Sequence, residues 1–521
     1  MSTATSSKMG DLSPFPEVVT HEATPPPDLE LPRVGQDHAQ ASIVDQLDRT
    51  PMDVRLRRIA REKVPATGQW FLKDERIQAF MHAQDNDKNC LWLDGHSGAG
   101  KQTLTVTMAE ALIGSTHNGC ALAWFACSRL DHKRRKADNV FRTLAIQVAR
   151  QQEELFSRLV GLVTGQQGMS AIDNDATDTD RFDYLDITHW CTFLKYCSGK
   201  FNRVYLMVTN VDGCYPKEAD DVVHSLSKLA DHDTGSFRIL CTSTTEFAET
   251  SNLPDRFRFG QMKVTTTRED LNLLLRHNSH LGFAVAQSQH DAILDRMVKY
   301  PEEGFIGAII EMQYQLDLLR DDHEPFESSD LTPVSSSWKI LLAQRSQLTE
   351  SQPHPRDMFY RRYGPVKPRH RFLYRWLIRF IHMVSCTEGM EMTPEEICGA
   401  LSQGQRSPTR QYAPCNEWPA VYKVTVYEIL SMCHPLIQRT PDGKALEFSH
   451  ISYYDMIMEQ WVLFEGSEIQ LHESLGFVAR FCFAELLYAA RGRGQMDFKR
   501  DSKFLEQRQR MHPFYTYAAT H

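Results

Sequence analysis

Residues 90–104 read Cys90-Leu91-Trp92-Leu93-Asp94-Gly95-His96-Ser97-Gly98-Ala99-Gly100-Lys101-Gln102-Thr103-Leu104, a short apolar run that breaks into glycines and resumes as a helical pattern. A run of this length, followed at once by glycines, is a buried parallel strand entering a loop. The spacing G-x-x-x-x-G-K from Gly95 to Lys101, between a strand and a helix, marks a phosphate-binding loop. Glycines let the backbone curl so that successive N–H groups point at phosphate oxygens. The helix that follows adds its positive N-terminal end, and Lys101 neutralises the outer phosphates. The candidate nucleotide-binding residues are therefore Gly95, His96, Ser97, Gly98, Ala99, Gly100, Lys101, Gln102 and Thr103.

Working outward, four further strand-like runs follow at Ala121–Cys127, Val204–Thr209, Phe237–Thr242 and Met262–Val264. Helical patterns lie between them at Thr103–Ile113, Asn139–Val163, Ile187–Cys197 and Asp220–Ala230. Strands alternating with helices predict a three-layer α/β core, a five-stranded parallel sheet covered on both faces. The expected organisation is a disordered tail over 1–42, rich in Ser, Thr and Pro, a helical lead-in over 43–88 and the NTPase core over 89–268. A helical domain over 269–320, a linker over 321–370, a winged-helix-like domain over 371–462 and a helical connector over 463–521 complete it. In the sixth of these, Leu373, Trp376, Leu377, Phe380, Ile381 and Val384 form one helical stripe. Thr393-Pro394-Glu395-Glu396 is a helix start, with Thr393 as cap, Pro394 at the first position and Glu396 closing a capping box.

The positions that normally carry hydrolysis are altered. Gln102 stands where a Ser or Thr hydroxyl ligates magnesium, and an amide oxygen on a longer stem is a weaker ligand, which leaves Mg²⁺ open. The third strand ends at Thr209, with Asp212 the acidic residue near its end and the candidate catalytic group. The fourth ends Thr242-Ser243-Thr244, whose hydroxyls either sense the terminal phosphate or cap the strand.

Composition bounds the remainder. The chain has 521 residues, about three to four structural units. Lys+Arg 58 against Asp+Glu 67 gives a net charge of -9, which argues against a generic nucleic-acid binder. Hydrophobic residues at 41% and charged residues at 24% exclude collagen-like, coiled-coil and wholly disordered readings. The twelve cysteines show no CxxC pair and are expected as reduced core thiols. No secretory h-region is visible, and the most apolar stretches, 372–386 and 477–490, are too short and too charged to span a bilayer. A cytoplasmic location is expected. The acidic stretch from Thr164 to Asp180 reads as a solvated loop.

The ordered segments Thr67–Leu72 (TGQWFL), the strand and loop quoted above, Val204–Cys214 (VYLMVTNVDGC) and Arg238–Glu246 (RILCTSTTE) resemble the fungal NACHT-type members of the STAND class of P-loop NTPases, and a nephrocystin-3-like N-terminal NTPase domain. Glu302–Leu319 looks like the helix after that core, and Thr393–Leu401 with Cys433–Ile457 looks like its winged-helix segment. The resemblance implies a nucleotide-controlled signalling switch of the innate-immunity or incompatibility kind. ADP would lock a closed monomer, and ATP would open it toward self-assembly or other protein partners. GTP and GDP are the alternative ligands. The histidine that reads the β-phosphate in such proteins maps to His450, for which the alternative is a satisfied histidine at a strand end. Gln102, Thr209, Gly213 and Thr244 depart from the pattern, implying weak or lost hydrolysis. The final residues resemble the segment that in relatives leads into ankyrin or other repeats; the expectation is either that the repeats are missing or that the sequence is truncated.

Three other readings compete. One is an interaction scaffold that keeps only the fold. A second is nucleic-acid binding through His132–Lys136 and through the set from Arg361 to Arg379, which a solvated helix face explains better. A third is a small-molecule kinase, for which no lid arginines or substrate base are found.

Overall fold

The computed structural model describes residue 31 and residues 38–48, 50, 52–82, 89–115, 119–164, 185–231, 236–279, 305, 377–384, 392–404, 424–433, 436–440, 443–450, 453–454, 474–475, 478–479 and 482. The acidic stretch beyond Thr164, nearly all of the 1–42 tail, the 280–320 segment apart from Phe305, the 321–370 linker, the basic set up to Arg375 and most of the 463–521 connector lie outside them.

Four helices lead in: α1 (His38–Leu47), α2 (Met52–Glu62), α3 (Gln69–Lys73) and α4 (Glu75–His82). Then come β1 (Cys90–Asp94), α5 (Lys101–Ser115), β2 (Cys120–Ala126), α6 (Ala137–Ala149), α7 (Glu153–Val163), α8 (Ile187–Ser198), β3 (Arg203–Thr209), α9 (Pro216–Ala230), β4 (Phe237–Ser243), α10 (Thr245–Thr250), α11 (Asp255–Phe259), β5 (Gln261–Lys263) and α12 (Arg268–Ser279). The five strands form one all-parallel sheet in the order β2-β3-β4-β1-β5. Each strand run expected from the sequence is present within one residue at either end. β4 lies between β1 and β3, so the loops leaving these three strands open onto one crevice at their carboxyl ends, where open α/β sheets bind ligands.

Burial on both faces explains why the strands read as unbroken apolar runs. Every residue of β1 and β4 is buried, and Trp92, Trp124 and Trp190 are fully enclosed. Trp92 stacks on Phe247 with centroids 6.3 Å apart and meets Phe257 edge-on at 5.4 Å. Its indole N–H donates to Ser243 Oγ at 3.0 Å, which fixes the end of β4 against β1.

The helical pattern over Asn139–Val163 is two helices, not one. The break at 150–152 contains neither glycine nor proline; Gln152 turns extended, with φ -146° and ψ 128°, to cap α7. Side chains that precede the break are spent on the outer edge of β2. Gln147 Oε1 accepts Trp124 N–H at 2.7 Å while its Nε2 donates to Trp124 O at 3.0 Å. Gln151 repeats the arrangement on Leu122, at 3.1 and 2.7 Å. Both strand residues are buried, so their peptide groups have no water to turn to. Replacing Gln147 with leucine should cost about 2–6 kcal/mol, two orphaned peptide groups at roughly 1–3 each. It should be read as a lowered Tm with increased aggregation.

The later described elements are a helix over 377–384, helices Pro394–Gly404 and Val426–Cys433, and an antiparallel pair, β6 (Ile437–Arg439) and β7 (Leu446–Phe448). They share a second apolar core. The expected stripe is seen at Leu377, Phe380 and Ile381, all fully buried, but Ile378 and Met383 are buried as well, so this helix is enclosed nearly all round. The expected capping box is formed: Thr393 N–H donates to Glu396 Oε2 at 2.7 Å, and Glu396 N–H donates to Thr393 Oγ1 at 3.2 Å. An identical one at Thr425 and Glu428 was not foreseen. The ten described cysteines are free thiols. No described helix is long and apolar enough to cross a membrane.

The first core and this second group are stitched together by charge. Arg55 of α2 reaches Glu447 at 2.7 Å. Arg58 donates to Gln438 Oε1 and to the Arg439 carbonyl, both at 2.6 Å.

Candidate functional site

The phosphate-binding loop is built by two left-handed glycines, Gly98 (φ 84°) and Gly100 (φ 87°), a conformation that side chains disfavour. Ala99 N–H closes the turn on His96 O at 3.1 Å, and Leu104 N–H starts α5 on Gly100 O at 3.0 Å. Phe305 N–H donates to Gly98 O at 3.0 Å, and a Cβ on Gly100 would stand 2.7 Å from the Phe305 ring. Gly95 is pressed against the carbonyl of Val264, which follows β5. Lys101, 7% exposed, donates to Gly95 O at 2.6 Å and His96 O at 2.8 Å. Burial pushes its pKa down to about 8, opposed by the carboxylates of Asp212 and Asp94.

A cavity of about 320 Å³ opens over this loop. Of the expected residues, Ser97, Gly98, Ala99, Gly100, Lys101, Gln102, Thr103, Asp212 and His450 line it. Gly95, His96 and Thr242 do not. Thr242 is fully buried and its hydroxyl accepts Asn210 N–H at 2.9 Å, tying the end of β4 to the residue after β3. Thr244 lines the cavity and caps α10, accepting Phe247 N–H at 3.4 Å. Asp212 sits on a short turn after β3, with Asn210 left-handed at φ 55°. His450 is half-buried and lines the cavity. Burial, with the Lys101 charge beside it, drives its pKa down to about 4, so it is neutral near pH 7.

Two departures from the hydrolytic pattern have structural causes. The Thr209 hydroxyl donates to Phe125 O at 3.3 Å across to β2, and the residue is wholly buried. At Gly213 a Cβ would fall 3.0 Å from Ser128 N and 3.1 Å from Cys127 C, so no side chain fits without moving the backbone that leaves β2.

Sequence reasoning missed several lining residues. Arg134 comes from His132–Lys136, weighed above as a nucleic-acid-binding segment, but it turns inward. Its Nε donates to Ala126 O at 2.8 Å, and burial lowers its pKa to about 10. Its neighbour Arg135 lies over the Tyr215 ring at 3.8 Å. Arg55 and Glu447 line the cavity from opposite halves of the chain, and Thr67, Gly68, Trp70, Asp270 and Leu274 close its other end. These are long-range contacts with no local motif.

Residues 66–244 match the family described as Nephrocystin 3, N-terminal. No curated protein sequence matches. Among solved structures, Drosophila ORC bound to DNA is 12% identical, with 87% of this chain and 95% of that chain covered and a TM-score of 0.31. Cdc6p from Pyrobaculum aerophilum is 12% identical, covering 79% and 99%, with a TM-score of 0.31. A Walker-type ATPase of Pyrococcus abyssi is 10% identical, covering 72% and 95%, with a TM-score of 0.29. The five-stranded parallel sheet, with the G-x-x-x-x-G-K loop between β1 and α5, is the α/β core of a P-loop NTPase fold.

Proposed function

We propose that this protein is a NACHT-type switch of the STAND class, held closed by a bound nucleotide and poor at hydrolysing it. The supporting observation is that Glu447, Phe448, Ser449 and His450, at the end of the β6–β7 hairpin, line the same cavity as Lys101. In this reading the two helices and the hairpin are a winged helix. A neutral His450 accepts or donates a hydrogen bond to phosphate without adding charge. ADP or ATP is the ligand, GTP or GDP the alternative, and Gln102 in place of the usual hydroxyl leaves Mg²⁺ open. Gln102, Thr209, Gly213 and Thr244 leave little machinery to orient water or clamp the terminal phosphate. The inward turn of Arg134 supports protein or self-assembly partners over nucleic acid.

Identifying the nucleotide that co-purifies, followed by titration calorimetry, tests the reading; retained ADP is expected. No affinity for ATP, ADP, GTP or GDP would overturn it and leave an interaction scaffold. Turnover comparable with ordinary P-loop ATPases would overturn the hydrolysis part.

A pH series carries a further expected result. Phosphate binds the charged form of Lys101, so affinity should fall above about pH 8, approaching tenfold per pH unit. Stability of the protein without nucleotide should move oppositely. The Lys101 pKa is depressed from 10.5 in the fold, so the unfolded chain binds the extra proton between about 8 and 10.5, and stability rises with pH there. Calorimetry and thermal melts from pH 7 to 10 check both signs.

A further inference from the structure

One wall of the cavity is built around a carboxylate whose partners come from another part of the chain. Asp270 stands at the third position of α12, and its N–H donates to the cap Thr267 Oγ1 at 3.2 Å. An acidic residue there ordinarily returns its side chain to the N–H of the cap. This chain does so at Glu396 and at Glu428. Asp270 sends its carboxylate elsewhere. Oδ1 accepts Gly68 N–H at 3.0 Å and Oδ2 accepts the Trp70 indole N–H at 2.8 Å. Asp270 is 5% exposed and lines the cavity beside both. Gly68 is left-handed, φ 74°, and a Cβ on it would stand 2.9 Å from Leu104 Cδ2 at the start of α5. The 67–70 loop is thereby pinned between α5 and α12. Val64, Leu104, Leu274 and Phe305 supply apolar wall at the same cavity, which suits a flat base rather than a phosphate.

We propose that Asp270 is the positioning residue of a nucleoside subsite: it holds Thr67–Trp70 as a wall for base and sugar and ties that wall to α12. The proposal rests on the reading of this cavity as a nucleotide site. It predicts that nucleotide affinity and phosphate affinity separate on mutation. Asp270→Asn keeps the volume but turns an amide NH₂ toward one of two N–H donors. ATP and ADP should bind at least tenfold more weakly, while inorganic tripolyphosphate, titrated at millimolar concentration, should bind within twofold of wild type. Adding Trp70→Phe removes the opposed indole donor and should recover at least threefold of the loss. Trp70→Phe alone, which leaves Asp270 on Gly68, should cost nucleotide two- to fivefold and tripolyphosphate nothing.

An Asp270→Asn protein that binds ATP like wild type overturns the proposal. So does one that loses ATP and tripolyphosphate in equal proportion, or a double variant no better than the single. If Asp270→Asn does not fold, equal nucleotide binding by Trp70→Phe and wild type overturns it. Wild type that takes no nucleotide, with or without tripolyphosphate, overturns the nucleotide reading and the subsite with it.

Discussion

Lys101→Met should abolish measurable nucleotide binding, a loss of at least a hundredfold, while leaving the melting temperature of the ligand-free protein unchanged or raised. The two effects have opposite signs because the side chain is arranged for an absent anion's benefit more than for the fold's. Its ammonium is nearly fully buried, and its pKa of about 8 against 10.5 in water measures roughly 3 kcal/mol of unfavourable environment. Two carbonyls, Gly95 O and His96 O, offset part of that. Methionine keeps the apolar stem, removes the buried charge and gives up both hydrogen bonds, so the changes in stability nearly cancel. Binding has no such cancellation, since charge-assisted contacts to phosphate in a water-poor cleft are worth about 1.5–3 kcal/mol each. Calorimetry with ADP beside a thermal melt without ligand reads both quantities. A variant that loses stability and binding together would instead mark Lys101 as structural.

Glu447→Arg should release the hairpin from α2. The wild-type carboxylate sits 2.7 Å from Arg55 and 3.8 Å from Arg58, and its charge is also felt by Arg134. The Arg55 and Glu447 side chains are 20% and 19% exposed, so solvent screens them only in part. Removing one partner of a well-buried pair costs about 3–5 kcal/mol, and this half-screened one should cost somewhat less. A reversed charge facing three arginines adds repulsion, set against the apolar packing of Ile437, Leu446 and Phe448 in the second core. Faster hydrogen exchange over 437–450 and a nucleotide release rate raised at least tenfold are expected. Arg55→Glu in the same molecule should restore much of both. Unchanged exchange would show that apolar packing, not the ion pairs, holds the hairpin in place.

The core was legible because its signals are local. The apolar run from Cys90, the glycine spacing and the helical pattern after Lys101 sit within fifteen residues, and strand burial on both faces leaves an unmistakable composition. The site was legible only where it is contiguous. Asp270 and Gly68 are brought together by the fold with no shared motif, and Arg134 hid in a run of five basic residues that reads as a nucleic-acid contact. The Gly213 departure could be seen as a change of residue, but its cause, the backbone of Cys127 and Ser128 lying against it, is a distance between two strands' exits. The break between α6 and α7 was invisible for a related reason: no helix-breaking residue marks it, and the side chains around it answer to a strand rather than to the helix.

That last arrangement has a consequence beyond helix boundaries. Gln147 and Gln151 are one turn apart, about 6 Å along the helix, and Trp124 and Leu122 are two residues apart, about 6.6 Å along the strand. Each glutamine amide offers the strand one donor and one acceptor, as a peptide unit does, so the pair counterfeits two links of a neighbouring strand that the sheet lacks among the described residues. The rim of the sheet at β2 is thus terminated by side chains, and no second molecule can dock there by extending the ladder. Assembly through sheet continuation is barred on that flank, and copies of this protein that meet there must do so through helices and loops.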